Sequence, residues 1–538
     1  MRQWLRAAGV VICLAVLCSA PAISFGQQSA PASSPGERDI QISISTFTKA
    51  YEVIEKNYAD PLNPDTAIFG PSNSSLGAIP GMLRTLDPHS NFFDPQSYAL
   101  LREQQQGHYY GVGMRIQGTV DKHGELQTMV VETMQDSPAF HAGLRAGDVI
   151  VSVDGKPTDG LETSQVASLL RGPRGTSVHV AVNREGSEDA LDFTIVRDEI
   201  ASQTVSDAFL IRPHVAYVRI TGFSETTNRE LTTALNRLNP RTLQGLVLDL
   251  RGNPGGLLQQ AVEVSDHFLQ KNQLIVYHHG RQSKEVRYYA TRGDSGVEYP
   301  MVVLINRMTA SAAEIVTGAL QDHDRALVIG EPSFGKGLVQ TIFPLSDNTG
   351  LALTTAHYYT PSGRLIQRDY SNVSLYDYYY HFDGKPGQHT EVRLTDGGRE
   401  VYGGGGIMPD VLIHQPKLNA TQQSLRQHRA FFEFGKHYLA SHSTIPKDFV
   451  PDLETLQEFR RFLADKNIAV TPDEFEANRE YISDHIRAQL VRVIYGSGEA
   501  DKIAVGHDPL VSTALENLDR ARQLTLSAKR YIASKREQ

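Results

Sequence analysis

A chain of 538 residues has room for about three or four domains of ordinary size, which excludes a single small module. Hydrophobic residues make up 40% and charged residues 21%, with 44 Gly and 26 Pro; that is the composition of a folded protein with several cores, not of a disordered, collagenous or polytopic membrane chain. A formal charge of −9 with no long basic block lacks the electrostatic footprint of a nucleic-acid binder.

Residues 1–26 carry Arg2 and Arg6, then an almost wholly apolar run from Ala7 to Ala20, then small residues around Ala20-Pro21-Ala22. That order is the one expected of a secretory signal, and fourteen apolar residues are too few to span a bilayer, which takes about 20. The expected chain is therefore exported, periplasmic or otherwise extracytoplasmic, with cleavage near Ala22 to Gly26. Both cysteines, Cys13 and Cys18, fall inside this segment, so the mature chain is expected to have no disulfide, thiol nucleophile or cysteine metal site. Membrane attachment through a lipid on Cys18 is disfavoured by the bulk of Leu17. Losing two arginines takes the charge from −9 to −11.

Residues 27–38 are rich in Ser, Pro and Gln and are expected to form a linker. In 39–106, Ile44, Phe47, Tyr51, Ile54 and Tyr58 recur at helical spacing, and the helical region they begin is broken at Pro61, Pro71 and Pro88. In 107–198 the pattern changes to the short β-like runs MRIQG, LQTMVVE, DVIVSVDG, SVHVAVN and LDFTIV, with one helix over 161–170. In 199–425, continuous apolar strands at 215–220, 245–250, 301–306 and 326–330 alternate with helices at 225–238, 257–269 and 310–322, the signature of a layered α/β core with buried parallel strands. Beyond 425 the pattern is helical again, with Thr471-Pro472-Asp473-Glu474 reading as a capped helix start.

Three motifs compete for the chemistry. Gly330-x4-Gly335-Lys336 resembles a phosphate loop, but Gly337 stands where Ser or Thr should hold magnesium, and the following LVQTIFPL reads as a strand where a helix is required. Gly293-Asp294-Ser295-Gly296 is reminiscent of a trypsin-like nucleophile turn but is followed by Val297, and is expected to be a solvated turn. The third is Asn306 to Asp322, where a buried strand leads through a tight turn into a helix and places Ser311 at the helix N-terminus, among unpaired amides that favour developing negative charge. A serine hydroxyl needs a base. Lys336 follows the adjacent predicted strand, and neighbouring parallel strands joined by a helix bring their carboxyl ends to one sheet edge. To act, its amine must be neutral, which requires a pKa lowered from about 10.4 toward about 7 to 8 by burial. Asp249 to Gly256, DLRGNPGG, ends another strand at that edge with glycines that let backbone amides approach a substrate. Taken alone, a capping serine, a solvated lysine and a plain loop are the plain readings of these segments. The 19 histidines show no HExxH or similar spacing, and His278-His279 reads as surface, so no metal and no cofactor is expected.

TASAAEIVTGALQD, EPSFGKGLVQ, DLRGNPGG, HYYTPSGRLIQ and GGGGIMPD, in that set, resemble the signatures of the C-terminal processing peptidases, or tail-specific proteases, over nearly the whole mature chain. The resemblance implies a multidomain α/β protein: a crotonase-like peptidase core, an inserted PDZ domain at 107–198, and helical N- and C-terminal regions. It implies a Ser-Lys dyad of Ser311 and Lys336 supported by Gln340 and Glu314, with oxyanion donors at Gly255, Gly256 and the Ala312 amide. In the PDZ domain it makes Tyr110-Gly111-Val112-Gly113 the loop that binds a peptide's terminal carboxylate, with Val166 and Leu170 lining the groove. The implied partners are protein or peptide substrates with free C-termini, with an adaptor or activator left open. Met308 stands where glycine is usual and Ala313 where serine is common. A non-catalytic PDZ scaffold is the alternative function. The helices of 426–538 are expected to make an oligomer contact, and the tyrosine cluster Tyr376, Tyr378, Tyr379 and Tyr380, in an unassigned stretch at 369–400, is expected to be surface packing.

Overall fold

A computed structural model describes residues 35–70, 77–120, 124–184, 186–294, 298–371, 373–380, 391–442 and 444–536. Residues 1–26, expected to be a secretory signal, and both cysteines lie outside these residues. No described helix is long and apolar enough to cross a membrane. Two compact units are present, 1–68 and 69–538. The first contributes a helix, Pro35–Asn57, along which Ile44, Phe47 and Ile54 are all exposed.

The core of the second unit is a six-stranded sheet. β1 (Val205–Arg212) and β2 (Val215–Ile220) form a hairpin; β3 (Gly245–Asp249), β4 (Met301–Ile305) and β5 (Leu327–Gly330) then follow β2 in parallel, and Val411–Leu412 completes the edge. Every residue of β3 and β4 is buried, because both faces are covered, and this is why their sequences are continuously apolar rather than alternating. On one face lie α1 (Thr227–Leu238), α2 (Leu258–Asp266) and α3 (Ala312–Asp322), which share a core with Leu246, Leu248, Val303 and Ile305. The other face, built from Tyr217, Val247, Val302 and Ile329, is covered by Val511, Ala514 and Ala521 of the helices Pro509–Glu516 and Leu518–Arg536. The apolar faces of these last two helices are thus spent on the chain's own sheet. The helices from Ala430 to Tyr495 enclose a separate core around Phe434, Phe459 and Ile486.

A second, antiparallel sheet stands beside the first. β6 (Leu338–Pro344) pairs with β7 (Gly350–Tyr359), whose other partners are Leu274–His279 and the short strand Asn91–Phe93. That short strand interrupts the expected N-terminal helical region: after the Pro88 break, Asn91, Phe92 and Phe93 find backbone partners at Ala352, Leu351 and Gly350. His278, expected at the surface, is instead part-buried on its strand with Nε2 3.3 Å from the Tyr288 hydroxyl. Residues 114–196 form a strand-rich unit of their own, with the helix Thr163–Leu170 against it.

Arg364, fully buried, ties the end of β7 to α3. It donates to Asp322 Oδ1 at 2.7 Å, Gln321 Oε1 at 2.8 Å and the Tyr402 carbonyl at 3.1 Å. A buried charge that loses its partner keeps its desolvation cost. Arg364→Met is therefore expected to lower unfolding stability by about 3 to 5 kcal/mol in urea titration, and adding Asp322→Leu to recover part of that loss.

Candidate active site

Three strand-end turns meet at the carboxyl edge of the main sheet, and backbone hydrogen bonds join them. The Ala310 amide donates to the Asn253 carbonyl at 2.9 Å and the Phe334 amide to the Thr309 carbonyl at 2.9 Å; the Thr309 hydroxyl donates to the Leu250 carbonyl at 2.9 Å. The turns after β3, β4 and β5 are thereby one assembly. The strand β6 follows Lys336 directly, so the lysine lies in a strand-flanked turn and not in a phosphate loop. The other decoy turn is described only to Asp294, where Gly293 donates its amide to Asp266 Oδ1 at 2.9 Å; Ser295, Gly296 and Val297 lie outside the described residues.

Ser311 takes φ 54° and ψ −117°, a region that costs a non-glycine residue about 1 to 3 kcal/mol and needs firm support from its surroundings. Glu314, three residues on, supplies it. This side chain is fully buried, and its Oε2 accepts the amides of Ser311 at 2.7 Å and Lys336 at 2.9 Å, while Oε1 accepts the Gly335 amide at 2.7 Å and the Ser333 hydroxyl. One carboxylate thus binds the serine turn to the lysine turn. Burial pushes its pKa up, against the pull of those four donors. The Tyr358 hydroxyl of β7 adds a second clamp, lying 3.0 Å from the Ser311 carbonyl oxygen and 2.7 Å from that of Lys336.

Burial holds the Lys336 amine below its ordinary pKa, with Asp87 and Glu314 pulling the other way. Its Nζ donates to Gln340 Oε1 at 2.7 Å, and among the described residues no hydrogen bond joins it to Ser311 Oγ. The two catalytic candidates are therefore brought to one place, but the amine is turned toward Gln340. Beside them opens a cavity of about 730 Å³ lined by Asp87, His89, Pro254, Met308, Phe334 and Tyr379, as well as by Lys336 itself.

Gly255 packs against Ser311: a Cβ there would stand 2.8 Å from Ser311 Cβ and 2.9 Å from the Ala312 nitrogen, at a φ of 102°. Only glycine fits. Its own amide, however, donates to Asn253 Oδ1 at 2.8 Å. Among the described residues, the Gly256 and Ala312 amides have no acceptor, so these two, and not Gly255, are the free donors of the expected oxyanion set. Among the described residues no group of three or more His, Cys, Asp or Glu is placed to hold a metal ion.

The expected peptide-binding residues divide. Tyr110 is partly exposed on the strand His108–Gly111, and Gly113 has a positive φ of 78° in the following turn. Val166 and Leu170, expected to line the groove, are instead inside the core of the strand-rich unit, as is the side chain of Val112 from the carboxylate loop. The reason is the closeness of the helix to the edge strand Met114–Val120: a Cβ on Gly118 would lie 2.9 Å from Thr163 Oγ1. Among the described residues, that strand pairs with one neighbour.

The sequence model of peptidase family S41 matches residues 214–372, and that of the PDZ domain matches 129–184. The chain is 35% identical over 375 residues to the carboxy-terminal processing protease CtpA of Bacillus subtilis, covering 68% of this chain and 76% of that one. The chain belongs to the carboxy-terminal processing proteases of peptidase family S41. It is a serine-type peptidase with a PDZ domain. A carboxy-terminal-processing protease of Bartonella bacilliformis is 43% identical over 294 residues, 54% of this chain and 66% of the relative. Among solved structures, a photosystem II D1 C-terminal processing protease is 28% identical over 68% of this chain and 92% of its own, with a TM-score of 0.34.

Asp87, His89, Ser333, Tyr358, Gln367 and Tyr378 were not singled out from the sequence as site residues, although Tyr358 and Gln367 lie in HYYTPSGRLIQ and Ser333 in EPSFGKGLVQ. The signal was motif membership; what was missing was the fold that aims them. Tyr378 is 2% exposed, which corrects its assignment to surface packing, whereas Tyr376, Tyr379 and Tyr380 are exposed.

Replacing Glu314 with Gln keeps the size of the side chain but sets an NH2 group against two of four donors. Unsatisfied buried donors cost about 1 to 3 kcal/mol each. Glu314→Gln is expected to lower stability by about 2 to 4 kcal/mol in denaturant titration and to reduce cleavage in the fraction that remains folded.

Proposed function

We propose that the protein is an exported serine endopeptidase that takes the C-terminal tails of unfolded or target proteins through its PDZ domain and hydrolyses peptide bonds with Ser311 and Lys336. The observation that carries this reading is the joining of a strained helix-end serine and a desolvated lysine through one buried carboxylate. The charged, apolar and small-residue order of residues 1–26 supports export. The free edge of the strand Met114–Val120 supports capture of a tail as an added strand, once the adjoining helix makes room.

In the reaction, Lys336 Nζ turns from Gln340 to Ser311 Oγ and takes its proton as Oγ attacks the scissile carbonyl carbon. The carbonyl oxygen gains negative charge, which the unengaged amides of Gly256 and Ala312 are available to stabilise. The lysine then gives its proton to the leaving amine, and an acyl-enzyme ester remains on Ser311. Water, deprotonated by the same amine, hydrolyses that ester. The cavity lined by Met308, Phe334 and Pro254 suits an apolar stretch of substrate.

A binding-only scaffold is the rival reading, favoured by the turning of the amine away from Ser311. An unfolded substrate with an apolar C-terminus separates the two. Turnover is expected, and both Ser311→Ala and Lys336→Ala are expected to lower it by about 1,000-fold or more. Binding without turnover in the unaltered protein would establish the scaffold instead. Because the neutral amine is the active form, cleavage is expected to fall as pH drops through the Lys336 pKa, which burial places below the ordinary lysine value. A pH profile of kcat/KM checks this.

A further inference from the structure

The tyrosine cluster rests on the base. α4 (Leu375–Tyr380) carries Tyr378 into a ring of hydrogen bonds that begins and ends at the lysine turn. Lys336 Nζ donates to Gln340 Oε1 at 2.7 Å, and Gln340 Nε2 donates to the His89 carbonyl at 2.5 Å. The His89 ring Nε2 lies 2.9 Å from the Tyr378 hydroxyl, which also takes a hydrogen from Gln367 Nε2 at 3.2 Å. Gln367 Oε1 accepts the Gly337 amide at 2.9 Å, next to Lys336. Burial, then the nearby Lys336, hold the His89 pKa down to about 4, so its ring is neutral near pH 7 and Nε2 can accept. The hydroxyl therefore gives its proton to the His89 ring and receives one from Gln367, so the bonds from Gln340 and from Tyr378 both run toward His89. The phenol ring meets Phe334 edge-on at 5.5 Å, with the Arg368 guanidinium 4.5 Å over its face. Arg368 also donates to the Tyr378 carbonyl.

We propose that Tyr378 is a positioning residue for Lys336: through His89 and Gln340 it fixes the orientation of the amine, and its buried ring, packed edge-on against the cavity-lining Phe334, keeps that wall closed to water. This rests on the reading of Lys336 as the base. The other charged and titratable groups facing this assembly are Asp87 from the N-terminal segment, Glu314 from α3, Arg368, Tyr370 and Tyr379. Asp87 and Glu314 raise the proton affinity of the lysine, so the dryness that Tyr378 maintains is what opposes them. A neutral amine has three substituents and one lone pair, and committing one N–H to Gln340 limits where that lone pair can aim. Loosening Gln340 removes the constraint.

The test uses the full chain, an unfolded substrate with an apolar C-terminus, and active sites titrated with a serine-directed probe. Tyr378→Phe keeps the ring and removes the hydroxyl; kcat per titrated site is expected to fall about tenfold, the effect of one lost hydrogen bond, with KM within about twofold of the unaltered value. Tyr378→Ala admits water, and the acidic limb of its kcat/KM profile is expected to move up by about one pH unit. Tyr380→Phe, on the exposed side of α4, is the control and is expected to match the unaltered protein. An unchanged kcat in Tyr378→Phe overturns the assignment, as does an acidic limb that stays in place in Tyr378→Ala while only Tm falls. Should Tyr378→Ala not fold, the kcat of Tyr378→Phe decides alone. Ser311→Ala run in parallel keeps the two questions apart: cleavage that survives in it removes the dyad itself, whatever Tyr378 does.

Discussion

A single buried carboxylate holds the site together. Glu314 gathers three backbone amides and a hydroxyl from two strand-end turns, and none of those groups could be left unpaired at that depth without a penalty of about 1 to 3 kcal/mol. The helix start at Ser311 and the glycine-flanked turn at Lys336 are distant in sequence, and each is irregular. Their common dependence on one acceptor makes their separation a fixed quantity. The rest of the arrangement follows from it: Tyr358 can span both carbonyls, Gly255 must lack a side chain, and the cavity opens where the turns diverge.

Burial does the electrical work around this centre. Burial lowers both the Lys336 amine and the His89 ring, and the nearby lysine lowers His89 further. A neutral imidazole can accept from Tyr378 as a protonated one could not. The polar ring around the base therefore depends on the apolar wall of Phe334 and the tyrosines as much as on its own hydrogen bonds.

Much of this was legible in the order of residues. The continuous apolar runs ending in Asp249, Ile305 and Gly330 are strands covered on both faces, and their carboxyl ends do converge, because a sheet with helical crossovers permits little else. The turn at Lys336 was distinguishable from a phosphate loop by the β-branched and aromatic residues after it. What periodicity could not supply was pairing between distant segments. Asn91 to Phe93 is too short to read as a strand until β7 lies beside it, and His89 looks like any residue after a proline until Gln340 reaches its carbonyl. Val166 and Leu170 show the opposite difficulty: their spacing fits a groove and a core equally well, and only the approach of Thr163 to Gly118 decides between them. The helices after residue 508 carried the same ambiguity, since an apolar stripe does not say whether it faces a neighbour or the chain's own sheet.

The backbone at Ser311 has a meaning for anyone who would make this enzyme more robust. Its dihedral angles suit glycine better than any residue with a side chain, so a search guided by local comfort would nominate glycine there and gain thermal tolerance. It would also discard the hydroxyl proposed above as the nucleophile. Durability and reactivity are opposed at this position by the shape of the main chain itself, and sites elsewhere, away from the sheet's carboxyl edge, are the places to look for reinforcement.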